Sequence, residues 1–152
     1  MTTALVLLAL FLLARFALVP RLSAEPAATG PVTLEDGART LGDCPGSPNC
    51  VGSEASDPAR RVARLAVGEG GPAAIERVAR LVESEPGART VAREADYLHA
   101  VFRTRLMGYA DDVEFLALPD GEVAVRSASR LGRSDLGANA KRVERLRAAL
   151  AN

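Results

Sequence analysis

The chain has no tryptophan, one histidine, two cysteines and only 4% aromatic residues. A base-stacking platform or an aromatic sugar site therefore has few residues to be built from, and the histidine-based metal motifs are closed. Charge of one sign is missing too. Nineteen basic residues balance nineteen acidic ones, so nothing global favours nucleic acid or an acidic polymer, and no nucleic-acid partner is expected. The chain also lacks a G-x-G-x-x-G, Walker, G-x-S-x-G or H-E-x-x-H motif. No cofactor and no metal is expected, and an enzyme reading has no named catalytic group.

What is present begins at the N-terminus. Ala4 to Val19 is an apolar run broken only by Arg15. It is slightly shorter than the roughly 20 helical residues that cross a bilayer core, and ALVLLALFLLA has no polar face to suit a soluble helix. Residues 1–20 read as a membrane anchor or a signal-like segment. MTT offers no basic n-region, and LSAEPAAT offers only imperfect cleavage positions after Ala24 or Ala28. An uncleaved anchor is the expectation, with a secreted or periplasmic domain after cleavage as the alternative. Arg15 and Arg21 would place their side in the cytoplasm by the positive-inside rule, whereas the cysteines point the other way.

Residues 21–40 are rich in Pro, Gly and small side chains and read as a flexible tether. Residues 41–150 remain for one domain, a size that can bury its own core. Ile75, Val78, Ala79 and Val82 in PAAIERVARLVE predict a helix that opens on Pro72. ARTVAR and DYLHAVFRTR alternate as strands. Leu98, Ala100 and Phe102 fall on one side of the second, with His99 and Val101 on the other. DVEFLAL and EVAVRSAS flank Pro119, Asp120 and Gly121 and predict a hairpin. A two-residue turn would set Phe115 opposite Arg126, and a one-residue bulge would set it opposite Ser127. Val143, Leu146 and Leu150 form the stripe of a last helix, capped by Asp135 or Asn139. The expected fold class is α+β, a small antiparallel sheet packed with two main amphipathic helices.

The charged residues that bear on function cluster around the hairpin. Asp111, Asp112 and Glu114 precede or enter one strand; Arg126 and Arg130 lie in or just beyond its partner; Arg133 and Asp135 follow. Either an Arg–carboxylate network closes the sheet edge, or Arg126, Arg130 and Arg133 orient a small polar or anionic ligand. Tyr109, Asp111, Asp112, Arg126, Arg130, Arg133 and Asp135 are the ligand-binding candidates. Neighbouring strand residues point to opposite faces, so Asp111 and Asp112 make a weak carboxylate pair. His99 needs a partner before it can act as a base.

CPGSPNCVGSEA, GYADDVEF and VRSASRLGRSDLGANAKRVERLR together resemble the DUF1499 family, over roughly Leu41 to Leu150. The resemblance implies no activity, because none is assigned to that family. It marks as motif positions Cys44, Pro45, Ser47, Pro48, Asn49 and Cys50 in the first stretch, and Asp111, Asp112 and Phe115 in the second. In the third it marks Arg126, Ser127, Ser129, Arg130, Asp135, Gly137, Asn139 and Arg142. DPARRVARLAV departs from the His and Pro expected after the knuckle, and LMGYA replaces a Phe-rich approach to DDVEF.

Cys44 and Cys50 lack the further ligands of a zinc site and the C-x-x-C spacing of a redox pair. Their short proline-bounded loop, behind an apolar segment, is expected to close as a disulfide in an oxidising compartment. The domain is then expected outside the cytoplasm, anchored to the membrane through its N-terminus. Three roles remain open: a non-enzymatic envelope domain binding a small ligand or an envelope protein, an enzyme acting on a polar or anionic substrate, and a structural accessory protein.

Overall fold

The structure, a computed structural model, describes residues 2–24 and 27–151. Its first element is a helix that is almost wholly exposed, and the 20 residues from Thr3 to Leu22 are long and apolar enough to cross a membrane. The α-helix Thr2–Leu13 continues through a π-helical turn, Ala14–Leu18, into a last turn, Val19–Leu22. Pro20 explains the widened turn: it has no N–H for Phe16, and its ring would crowd that carbonyl in a regular helix.

Eight antiparallel strands follow. They are β1 (Pro31–Thr33), β2 (Arg39–Leu41), β3 (Cys50–Gly52), β4 (Leu65–Ala66), β5 (Ala88–Arg93), β6 (Tyr97–Arg103), β7 (Ala110–Ala117) and β8 (Glu122–Ser129). β1 and β2 form a ribbon of their own; the other six form one sheet in the order β3-β8-β7-β6-β5, with β4 also paired to β8. β3 lies against Arg126–Ala128 and β4 against Glu122–Val123, so two short strands share one edge of β8.

This corrects the expected fold class. The sheet is not small, and the N-terminal helix makes three helices where two were expected. The four added strands, β1 to β4, are two or three residues long. Such stretches are too short for an alternating pattern to register.

The middle helix, Gly71–Ser84, buries Ala74, Ile75, Val78, Ala79 and Val82; the C-terminal helix, Ala138–Leu150, buries Val143, Leu146 and Leu150. Both lie on the sheet face that carries Leu98, Ala100, Phe102, Val113, Phe115, Val123 and Val125. These side chains are the main core, each large one stabilising the fold by about 1.5–3 kcal/mol.

The hairpin takes neither of the two expected registers. Phe115 stands opposite Val125, and Glu114 opposite Arg126. Pro119, Asp120 and Gly121 form a three-residue loop closed by the Leu118 amide on the Glu122 carbonyl, 2.8 Å. Gly121 supplies the positive φ, 86°, that such a loop needs. This register gives the second face of the sheet Tyr97, His99, Asp112, Glu114, Leu116, Ala124 and Arg126, all buried.

The segment expected as a tether covers that second face. Leu41 packs with Tyr97, Leu116 and Ala124, the β1–β2 ribbon touches β7 and β8 through β2, and backbone groups between Ser23 and Asp43 meet the buried charges.

Candidate functional site

The acidic and basic residues near the hairpin separate onto two faces. On the second face, Asp112 is held by a bidentate Arg130, with Nε on Oδ2 at 2.8 Å and Nη2 on Oδ1 at 2.7 Å. His99 Nε2 lies 2.6 Å from Oδ1, and the Ala27 amide donates to Oδ2 at 2.6 Å. Burial alone would push the Asp112 carboxyl up; the hydrogen bonds from His99, Arg130 and Ala27 outweigh it and hold the group well below the usual carboxylate range.

One pair further along β7, Arg126 Nη1 donates to Glu114 Oε2 at 2.8 Å. The Tyr97 hydroxyl and the Gly30 amide donate to Oε1, each at 2.9 Å. Burial and the neighbouring Glu114 push the Tyr97 phenol far up, so it stays a neutral donor. The remaining guanidinium donors turn to the overlying backbone: Arg126 to the carbonyls of Ala27 and Asp43, Arg130 to that of Ser23. A ligand could reach these groups only by displacing the segment that covers them.

The helical face carries a second polar network. Arg142 donates to Asp111 Oδ2 at 2.5 Å, to Asn139 Oδ1 at 2.5 Å and to Ser127 Oγ at 3.0 Å, and its guanidinium lies 4.9 Å from the centre of the Phe102 ring. Asn139 Nδ2 donates to the Asn49 carbonyl and to Ser129 Oγ, both at 2.9 Å. Asn49 Nδ2 in turn donates to the Gly132 carbonyl at 2.7 Å. Cys44 and Cys50 are disulfide-bonded, with Cα atoms 5.7 Å apart. The knuckle thereby presents Asn49 to the C-terminal helix and to the loop that leads into it.

Beside this network opens a cleft of about 560 Å³, within the usual range for small-molecule sites of roughly 300–1,000 Å³. Leu22, Tyr109, Leu131 and Leu136 supply its apolar walls; Asp111, Ser129 and Asp135 are its polar side. Asp111 is engaged by Arg142. Asp135 caps the C-terminal helix, accepting from the Asn139 amide at 2.7 Å and the Gly137 amide at 3.1 Å. Burial opposes its ionisation, but those amides hold its carboxyl below the ordinary value.

Of the seven candidates, Tyr109, Asp111 and Asp135 therefore line the cleft, while Asp112, Arg126 and Arg130 lie in the buried network on the other face. Arg133 is exposed on the loop between the lining residues Gly132 and Ser134. Glu114, Asn49 and the leucines of the cleft were not among the candidates. Shared strand parity links Glu114 to Asp112 and Arg126 to Arg130, a signal the chain did carry. Among the described residues, no three His, Cys, Asp or Glu side chains are grouped to hold a metal ion.

No curated protein and no solved structure matches the chain. A family model described as a protein of unknown function matches residues 40–150, which takes in the knuckle, the six-stranded sheet, both packed helices and the charged side chains of the two polar networks, but not the backbone groups of Ser23, Ala27 and Gly30 that cover one of them. The chain belongs to the DUF1499 family.

Proposed function

We propose that this is a non-enzymatic binding module, held at a membrane by its N-terminal helix with the folded domain outside the cytoplasm, which takes an apolar or amphiphilic small ligand in the cleft beside Tyr109. The observation that carries the reading is the contrast between the two faces. The arginines on which an anionic-substrate site would rest, Arg126 and Arg130, are paired with Glu114 and Asp112 under a covering segment. The open volume is walled instead by Leu22, Tyr109, Leu131 and Leu136. Burial of an apolar chain there supplies the affinity, and Ser129 with Thr104 offers hydroxyls to a polar end.

The two charged networks have a structural role in this reading. They fix the strand register and tie the knuckle, the juxtamembrane segment and the C-terminal helix to β7 and β8. Placement outside the cytoplasm rests on the disulfide, a bond that persists in oxidising compartments.

Titration of the full chain with a fluorescent fatty acid tests the proposal. Saturable one-site binding is expected, and Ala138→Phe, which fills the cleft from its edge, should abolish it while circular dichroism stays unchanged. Equal binding by the folded Ala138→Phe protein would contradict it.

A further inference from the structure

Leu136 is 88% exposed, and its φ of 54° makes it the one non-glycine residue among the described residues in the left-handed region. Glycine or asparagine would adopt that conformation with less strain, and water is a poor surrounding for a leucine. Strain of this kind concentrates at functional positions. Leu136 forms part of the lip of the cleft. Leu106, 70% exposed, stands on the loop whose ends, Thr104 and Tyr109, line the same cleft.

That loop also reaches back along the N-terminal helix. Gly108 packs so closely on Arg15 that a Cβ there would come within 2.6 Å of Nη1. Arg15 precedes Leu22, another lining residue, by seven positions, about 10 Å along a helix. If the helix spans a bilayer, the mouth of the cleft sits where acyl chains meet headgroups, and a half-exposed tyrosine suits that level. The mouth is also cationic: Arg105 and Arg133 are exposed and adjoin lining residues. The nearby acids do not offset them fully, since Asp111 is bound to Arg142 and Asp135 to helix amides. Guanidinium groups pair well with phosphate oxygens.

We infer that the cleft takes an anionic phospholipid from the bilayer around the N-terminal helix, with an acyl chain against Leu131, Leu136 and Tyr109 and the phosphate beside Arg105 and Arg133. This rests on the cleft being the binding site, and it adds the ligand class and its source. Leu136 is then exposed because its partner is lipid, and the apolar helix delivers the cleft to its ligand.

The test uses the full chain in vesicles containing phosphatidylglycerol or phosphatidylcholine with a photoactivatable group in the acyl chain, the labelled peptides being mapped by mass spectrometry. Labelling is expected at Thr104–Tyr109 and Leu131–Ala138, about ten-fold stronger with phosphatidylglycerol, a factor equal to about 1.4 kcal/mol. Arg105→Gln combined with Arg133→Gln should make the two lipids equal. Leu136→Asn should lose the labelling while the thermal midpoint stays level or rises, a combination that a purely structural leucine would not give; Leu136→Gly serves as the second variant. Labelling confined to Thr3–Leu22, or equal for both headgroups in the native chain, would overturn the inference. If fatty-acid binding persists in that event, only the lipid assignment fails; if it is absent too, the cleft is not the site.

Discussion

Glu114 and Arg126 stand directly opposite each other on β7 and β8, and their side chains meet at 2.8 Å with 0% and 3% exposure. Isolated, either charge would be costly at that depth. Tyr97, Gly30 and the carbonyls of Ala27 and Asp43 supply further partners, so the segment after the N-terminal helix is part of what makes the buried pair tolerable. Asp112 stands opposite Ala128 and is reached diagonally by Arg130 from just beyond β8, with Ala27 and Ser23 above them. The domain's second face is thus closed by a segment whose own sequence has almost no apolar pattern, held through backbone groups that recognise charge.

Arg126→Met should destabilise the fold by about 3–5 kcal/mol, because it leaves Glu114 buried without its cation. Adding Glu114→Gln to that variant should recover part of the loss. Urea unfolding of both variants measures the difference; a double variant as unstable as the sum of two independent losses would show that the pair is not coupled.

Stability should fall on acidification through the carboxylate range. Asp112 and Asp135 are held below the ordinary pKa in the folded chain, so the unfolded chain takes up protons first as pH drops. Their contribution is complete above about pH 5 and is lost as pH falls through about 4 toward the folded values. Asp112→Asn should lower the thermal midpoint at neutral pH and flatten its acid limb. An acid limb as steep as the native one would locate the dependence elsewhere.

Asn139→Ala should cost about 2 kcal/mol or more, since it strands the Asn49 carbonyl, Ser129 and part of Arg142 away from water. Hydrogen exchange should then quicken at Asn49–Gly52 as well as at the start of the C-terminal helix. Loosening of the helix alone would show that the knuckle is held by other means.

Reducing the Cys44–Cys50 bond should lower stability by roughly 2 kcal/mol. Non-reducing peptide mapping, together with protease accessibility in intact cells, checks the compartment. A linked pair on a domain accessible from outside is expected; free thiols on a protected domain would place it in the cytoplasm.

The two packed helices and the four longer strands were legible because their apolar residues recur at 3.6 or 2 positions, as Ile75, Val78 and Val82 or Leu98, Ala100 and Phe102 do, and the N-terminal helix because its apolar run is unbroken but for Arg15. The register of β7 on β8 was not, since it turns on whether Pro119-Asp120-Gly121 is a three-residue loop, and one residue of slip changes every cross-strand pair. For Arg126 and Arg130 a carboxylate network was one of the two roles open in the sequence, but which acid each one takes was not legible, because that depends on the register and their remaining acceptors are backbone carbonyls some 83 to 107 positions earlier. Backbone acceptors leave no mark in a sequence. The cleft was half visible, through Tyr109, Asp111 and Asp135. Its leucines come from two segments, the end of the N-terminal helix and the loop before the C-terminal helix, that only the fold brings together.

The two faces of the sheet differ in which one receives a ligand. Hydrogen–deuterium exchange of the full chain, with and without a saturating long-chain fatty acid, reads this directly. Protection is predicted at Thr104–Tyr109 and Leu131–Ala138, with the segment over Asp112 and Glu114 unchanged. Protection confined to Ala27–Asp43, or none in either region, would contradict it.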